Sequence, residues 1–106
     1  MTLRILSLAE EDLLASFRFY ERQGAGVGWY FLETLNSDIE SLRLYAGTHR
    51  RVFGYHRMLS KRFPFGIYYD LHQDEIRVWR ILDCRREPRW IKLQLKQGRR
   101  NRRPRV

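Results

Sequence analysis

The chain has 106 residues, 43% of them apolar and 14% aromatic, and a formal net charge of +9. That length fits one domain with one core, and that much core material excludes a disordered chain. No stretch approaches the roughly 20 apolar residues of a membrane span, and Met1–Ser7 is too short and interrupted for a signal peptide, so cytosol is the expected compartment.

The charge is divided unevenly. Residues 1–48 carry four Lys/Arg against seven Asp/Glu, a net of −3, and residues 49–106 carry seventeen against five, a net of +12. A basic second half favours nucleic acid, an acidic protein or an anionic surface as partner. The plainer reading is that these charges only keep the chain soluble. Cys84, the single cysteine, cannot form an intramolecular disulfide.

Thr2–Leu6 reads as a short strand. Ser7 and Glu10 have the spacing of a capping box, which predicts a helix from about Leu8 to Gln23. Leu13, Leu14, Phe17 and Tyr20 or Glu21 share one face, and Gly24 is the expected left-handed stop. A second helix is predicted over 27–45, because Gly28, Phe31, Leu35, Ile39, Leu42 and Ala46 recur at spacings of three and four, with Gly47 closing it. The short connection folds the two helices into an antiparallel hairpin.

Residues 52–62 are β-rich but alternate poorly, and Pro64 interrupts the ladder. Phe65, Ile67, Tyr69 and Leu71 alternate with Gly66, Tyr68 and Asp70, a strand with one buried face. A polar loop, 71–75, leads to a last strand that is apolar on much of both faces, which favours a central place in the sheet. Pro88 ends that strand, residues 89–96 suit a short helix, and 97–106, with five arginines, reads as a flexible basic tail. The expected fold is α+β: a small antiparallel sheet in β-α-α-β-β-β order, the helical hairpin on one face, a short C-terminal helix, one domain over 1–96 and the tail.

Gly24–Gly28 precedes a helix, as a phosphate loop does. It follows a helix rather than a strand, and it lacks the P-loop Lys-Ser/Thr and the dinucleotide spacing, so it reads as an interhelical turn. His49, His56 and His72 lack metal-ligand spacing, and no metal or other cofactor is expected. The arginines carry more. Arg57, Lys61 and Arg62 lie on or beside one strand, and Arg85 and Arg86 lie just past another, so an antiparallel meander brings them to one edge. Guanidinium forks grip phosphate bidentately. Trp90, Tyr68 and Trp79 are available to stack bases, and His56 is an acid–base candidate. The alternative is an exposed basic edge that an acidic partner covers.

At these residues the chain resembles the RelE/ParE superfamily of bacterial type II toxins. The resemblance covers about residues 3–92. Its motifs are Arg62-Phe63-Pro64 with Ile67-x-Tyr69, and Val78-x-x-Ile81-Leu82-Asp83-Cys84-Arg85-Arg86-Glu87-Pro88-x-Trp90. It implies a growth-arresting toxin neutralised by a cognate acidic antitoxin that folds on binding. RelE-like members cleave mRNA on the ribosome without a metal; Arg62, Arg85 and neighbouring Lys61 match their catalytic positions. ParE-like members inhibit DNA gyrase; Arg57, Arg86 and Trp90 would then serve target or nucleic-acid binding. No tyrosine follows Arg86, and Asp83 stands where many relatives have histidine. With the Arg-Arg-Glu-Pro ending, this places the chain slightly closer to ParE-like members. A plain basic nucleic-acid-binding module, driven by the tail, is the remaining alternative.

Overall fold

The computed structural model describes the backbone of residues 1–101 and the side chains of residues 1–97. In chain order the elements are β1 (Thr2–Ile5), α1 (Ser7–Gln23), α2 (Val27–Glu40), the single turn α3 (Leu42–Tyr45), β2 (Arg51–Val52), β3 (Tyr55–Leu59), β4 (Phe65–His72), β5 (Glu75–Asp83) and α4 (Pro88–Asn101). The five strands form one sheet in the order β1-β5-β4-β3-β2. The meander from β2 to β5 is antiparallel. β1 adds to its open edge in parallel with β5, so the sheet is mixed where an antiparallel one was expected. The α1–α2 hairpin lies between β1 and the meander in the chain and supplies the crossover that a parallel partner needs.

The boundaries differ from expectation for physical reasons. Leu6 caps α1 without a side-chain bond and Ser7 is already helical, so no capping box forms. Gly24 is extended at φ 178, and the left-handed residue is Gly26 at φ 90. The Glu21 carboxylate accepts from the amides of Gly26 and Gly28, the latter at 2.9 Å. The start of α2 therefore has a built-in anion where a phosphate loop would leave its amides free. Gly28 is needed because a Cβ there would stand 2.6 Å from the Phe17 carbonyl oxygen.

The predicted long second helix breaks at Ser41, whose hydroxyl donates to the Asp38 carbonyl at 2.6 Å and competes with the backbone ladder. Its stripe is nevertheless buried at Phe31, Leu35, Ile39 and Leu42, and Gly47 closes it in the left-handed region. At the far end Pro88 opens α4 rather than only ending the strand, a favoured place for proline because its missing amide has no partner to lose. The helix runs to Asn101, past residue 96; the remainder of the expected tail, 102–106, lies outside the described residues.

Two cores result. The hairpin side packs Leu13, Phe31, Leu35 and Ile39 on Phe65, Ile67, Tyr69 and Val78. On the opposite side Ile91 and Leu95 of α4 pack with Tyr55, Tyr68, Trp79 and Leu82. β4 is consequently buried on both faces from Phe65 to Tyr69, not on one. β5 is central, as its composition predicts.

Candidate functional site

Register decides which cations meet. Leu59 at the end of β3 pairs with Gly66 at the start of β4, which pairs with Leu82 near the end of β5. The segments after β3 and β5 thus leave the sheet at the same end, and Lys61, Arg62, Arg85 and Arg86 share that rim. Arg57 sits two residues inside it, opposite Tyr68.

The rim is divided in two. Lys61 and Arg62 line a groove with Tyr30, Glu33 and Asp38. Buried Asp38 fixes this turn by accepting from the Ser60 hydroxyl at 2.6 Å and the Lys61 amide at 3.3 Å. Arg62 donates to the Tyr30 hydroxyl at 3.1 Å. Arg85, Arg86 and Trp90 line a second cleft of 420 Å³ between α1 and α4, walled by Phe19 and Tyr20. Phe63 stands between the two, its ring 5.1 Å from Tyr20 and 5.5 Å from Tyr30.

In the cleft, the guanidinium of Arg85 is chelated by Asp83, with contacts of 2.7 and 3.0 Å, and its amide donates to the same carboxylate at 2.9 Å. These bonds hold the Asp83 carboxyl below its usual range. Burial raises the Tyr20 phenol, and the nearby Arg85 only partly offsets this. Arg86 lies over the Trp90 ring at 3.9 Å, a cation–π contact that leaves the guanidinium edge open to a ligand. Both arginines are exposed.

The floor of this cleft holds the residues that sequence reading missed. Arg80 is 6% exposed. It donates twice to Asp12 on α1, at 2.8 Å each, and to the carbonyl oxygens of Gln94 on α4, at 2.7 and 3.1 Å. Asp12 also accepts from the Ile81 amide at 3.0 Å. An arginine inside an apolar strand was the available signal, since a guanidinium is buried only when paired.

Other candidates lie elsewhere. Tyr68 and Trp79, considered for base stacking, are core residues. Burial, with Cys84 beside it, pushes the Tyr68 phenol up to about 12. Trp79 is bonded to Asp70. His56 stacks on Tyr69 and its Nδ1 contacts the His49 carbonyl at 2.8 Å, away from the rim. Among the described residues no group of carboxylates, histidines and cysteine has metal-site geometry, and no helix is long and apolar enough to cross a membrane.

These elements define a class: a mixed five-stranded sheet with a helical hairpin on one face, a C-terminal helix on the other, and a cationic rim between them. The sequence matches no family model and no curated protein. Among solved structures, a chain of the chromosomal ParDE TA system from P. aeruginosa shares the fold, with a TM-score of 0.70 and 22% identity over 76% of this chain and 92% of that one. The α+β arrangement expected from the sequence is the one the chain has, except that β1 joins the sheet in parallel.

Proposed function

We propose that the protein is the toxin of a type II toxin–antitoxin pair, that it inhibits DNA gyrase in the ParE-like manner, and that an acidic antitoxin neutralises it in the cytoplasm. The shared fold with a ParDE chain supports the class. The observation that favours binding over cleavage is the state of the rim. Asp83 is held deprotonated by Arg85, and the Tyr20 phenol is raised, so neither suits proton transfer near neutrality. Arg62 and Arg85 line separate grooves rather than one phosphate-sized site. The rim is instead built to grip: Arg85 is preoriented by Asp83, and Arg86 is propped on Trp90. An acidic antitoxin complements the +12 second half.

Stoichiometric protein should abolish gyrase supercoiling, and the paired variant Arg85→Ala/Arg86→Ala should restore it while leaving the fold intact. A reporter mRNA in a translating bacterial extract should stay whole by primer extension. Unimpaired supercoiling would sink this reading. New ribosome-dependent 5′ ends would replace it with RelE-like cleavage and make Lys61, Arg62 and Arg85 the residues to dissect.

A further inference from the structure

The β2–β3 hairpin is closed by a two-residue turn, Phe53-Gly54, between the paired residues Val52 and Tyr55. Both turn residues are left-handed, Phe53 at φ 52 and Gly54 at φ 86. Such a turn calls for Asn, Asp or Gly at its first position, and a bulky aromatic there is strained. The corresponding turn between β4 and β5 uses a polar residue, Gln73 at φ 55. Burial does not explain Phe53 either, since the residue is 42% exposed. Neither the turn nor the core accounts for a phenylalanine at this position.

Its surroundings point to a ligand. Phe53 lines a groove with Tyr55, Leu95, Lys92 and Lys96. The two lysines are exposed, one helical turn apart on α4, and no carboxylate lines the groove. The Arg51 guanidinium donates to the Gly54 carbonyl at 2.9 Å, fixing the turn from the other side. A half-exposed aromatic on a bonded turn, beside two lysines in a groove that no carboxylate lines among the described residues, is the arrangement that stacks a base and tracks its phosphates.

We propose that the Phe53–Lys92–Lys96 groove binds single-stranded nucleic acid, one base stacking on Phe53 and the adjacent phosphates meeting the two lysines. This site is separate from the Arg85 cleft and does not rest on the toxin reading.

Fluorescence anisotropy with the full-length chain and a labelled oligothymidylate tests it, and the basic C-terminal residues are the same in every variant. Phe53→Asn should lower affinity by about tenfold or more while raising the melting temperature, because asparagine tolerates the left-handed turn. Phe53→Trp should keep the affinity. Lys92→Gln/Lys96→Gln should flatten the slope of log affinity against log salt by about 1.4. Unchanged binding by a well-folded Phe53→Asn chain would overturn the proposal and assign affinity to the basic tail. Equal binding of a duplex of the same length, or displacement of the oligonucleotide by polyglutamate at lower concentration than by unlabelled oligonucleotide, would overturn it too.

Discussion

Arg80 and Arg85 stand five residues apart, one within β5 and one just past its end, and both face the same cleft. Arg80 is buried and draws its partners from α1 and α4. Arg85 is exposed, and its only carboxylate among the described residues is Asp83, two positions back at the end of β5. The first pairing joins three elements, one of them 68 positions away in sequence, and is destroyed by unfolding. The second is local and leaves the outer edge of the guanidinium in solvent. Geometry thus sorts two chemically identical side chains: Arg80 is part of the scaffold, and Arg85 is available to a partner. The comparison also separates good from poor mutational probes of function, since Arg80→Ala would silence the protein by unfolding it.

The sharpest way to break this contrast is at Asp12. Asp12→Ala leaves a buried guanidinium without its carboxylate and the Ile81 amide without its acceptor. The expected loss is about 3–5 kcal/mol, a large share of the roughly 5–15 kcal/mol that holds a domain of this size together. Urea denaturation measures it directly. The double variant Asp12→Leu/Arg80→Met should recover much of the loss, because a matched apolar pair has no stranded charge. If Asp12→Ala unfolds with the wild-type midpoint, Arg80 is no scaffold residue.

A smaller effect is expected where the hairpin's two helices touch. Gly28→Ala drives a methyl group to 2.6 Å from the Phe17 carbonyl and 2.9 Å from the Glu21 Cβ. The backbone cannot yield cheaply, and overpacking of this kind costs about 1–3 kcal/mol. It also displaces Glu21 from the amides it caps. A melting temperature unchanged by Gly28→Ala would mean that the helices separate freely at this crossing. Because the cationic cleft lies at the other wall of α1, the proposed gyrase inhibition, if it runs through that cleft, should persist in the folded fraction.

Much of this architecture was legible in the chain. The spacing from Gly28 to Leu42 marks a buried helical stripe whatever follows it, and apolar residues on both faces of β5 mark a central strand. The same logic failed on β4, where Tyr68 reads as a wet residue until α4 is known to cover it; the local pattern does not say what lies above a face. Ser41 was missed because one hydroxyl moves a boundary without changing the periodicity, and Gly24 stops α1 where expected but with extended rather than left-handed backbone. At the site, the shared rim was readable from the order of the strands, and the resemblance to RelE/ParE toxins singled out Arg62 and Arg85. The pairing of Asp12 with Arg80, 68 positions apart, was not. Nor was the strain at Phe53, since the left-handed turn is set by the length of the hairpin loop and not by the residue that fills it.

The smallest effect falls on Arg85 itself, and it distinguishes preorientation from mere charge. The Asp83 carboxyl is depressed by the bonds from Arg85, so its folded value lies below its ordinary 3.8. Its contribution to stability is therefore complete well above pH 3.8 and is lost as pH falls through the lower, folded value. Asp83→Asn removes that dependence, so the acid limb of the stability curve should flatten slightly while the midpoint at pH 7 barely moves, because exposed pairs contribute little. The gyrase inhibition proposed for the protein should respond in a different way. Asparagine keeps one acceptor for the Arg85 amide but no longer holds the guanidinium with charge, so the side chain regains rotamer freedom that binding must then remove. Weaker inhibition by Asp83→Asn at neutral pH, with melting unchanged, would show that Asp83 aims Arg85. Stronger inhibition would show the reverse: that the carboxylate competes with the target for the same guanidinium, and that the partner must displace it to bind.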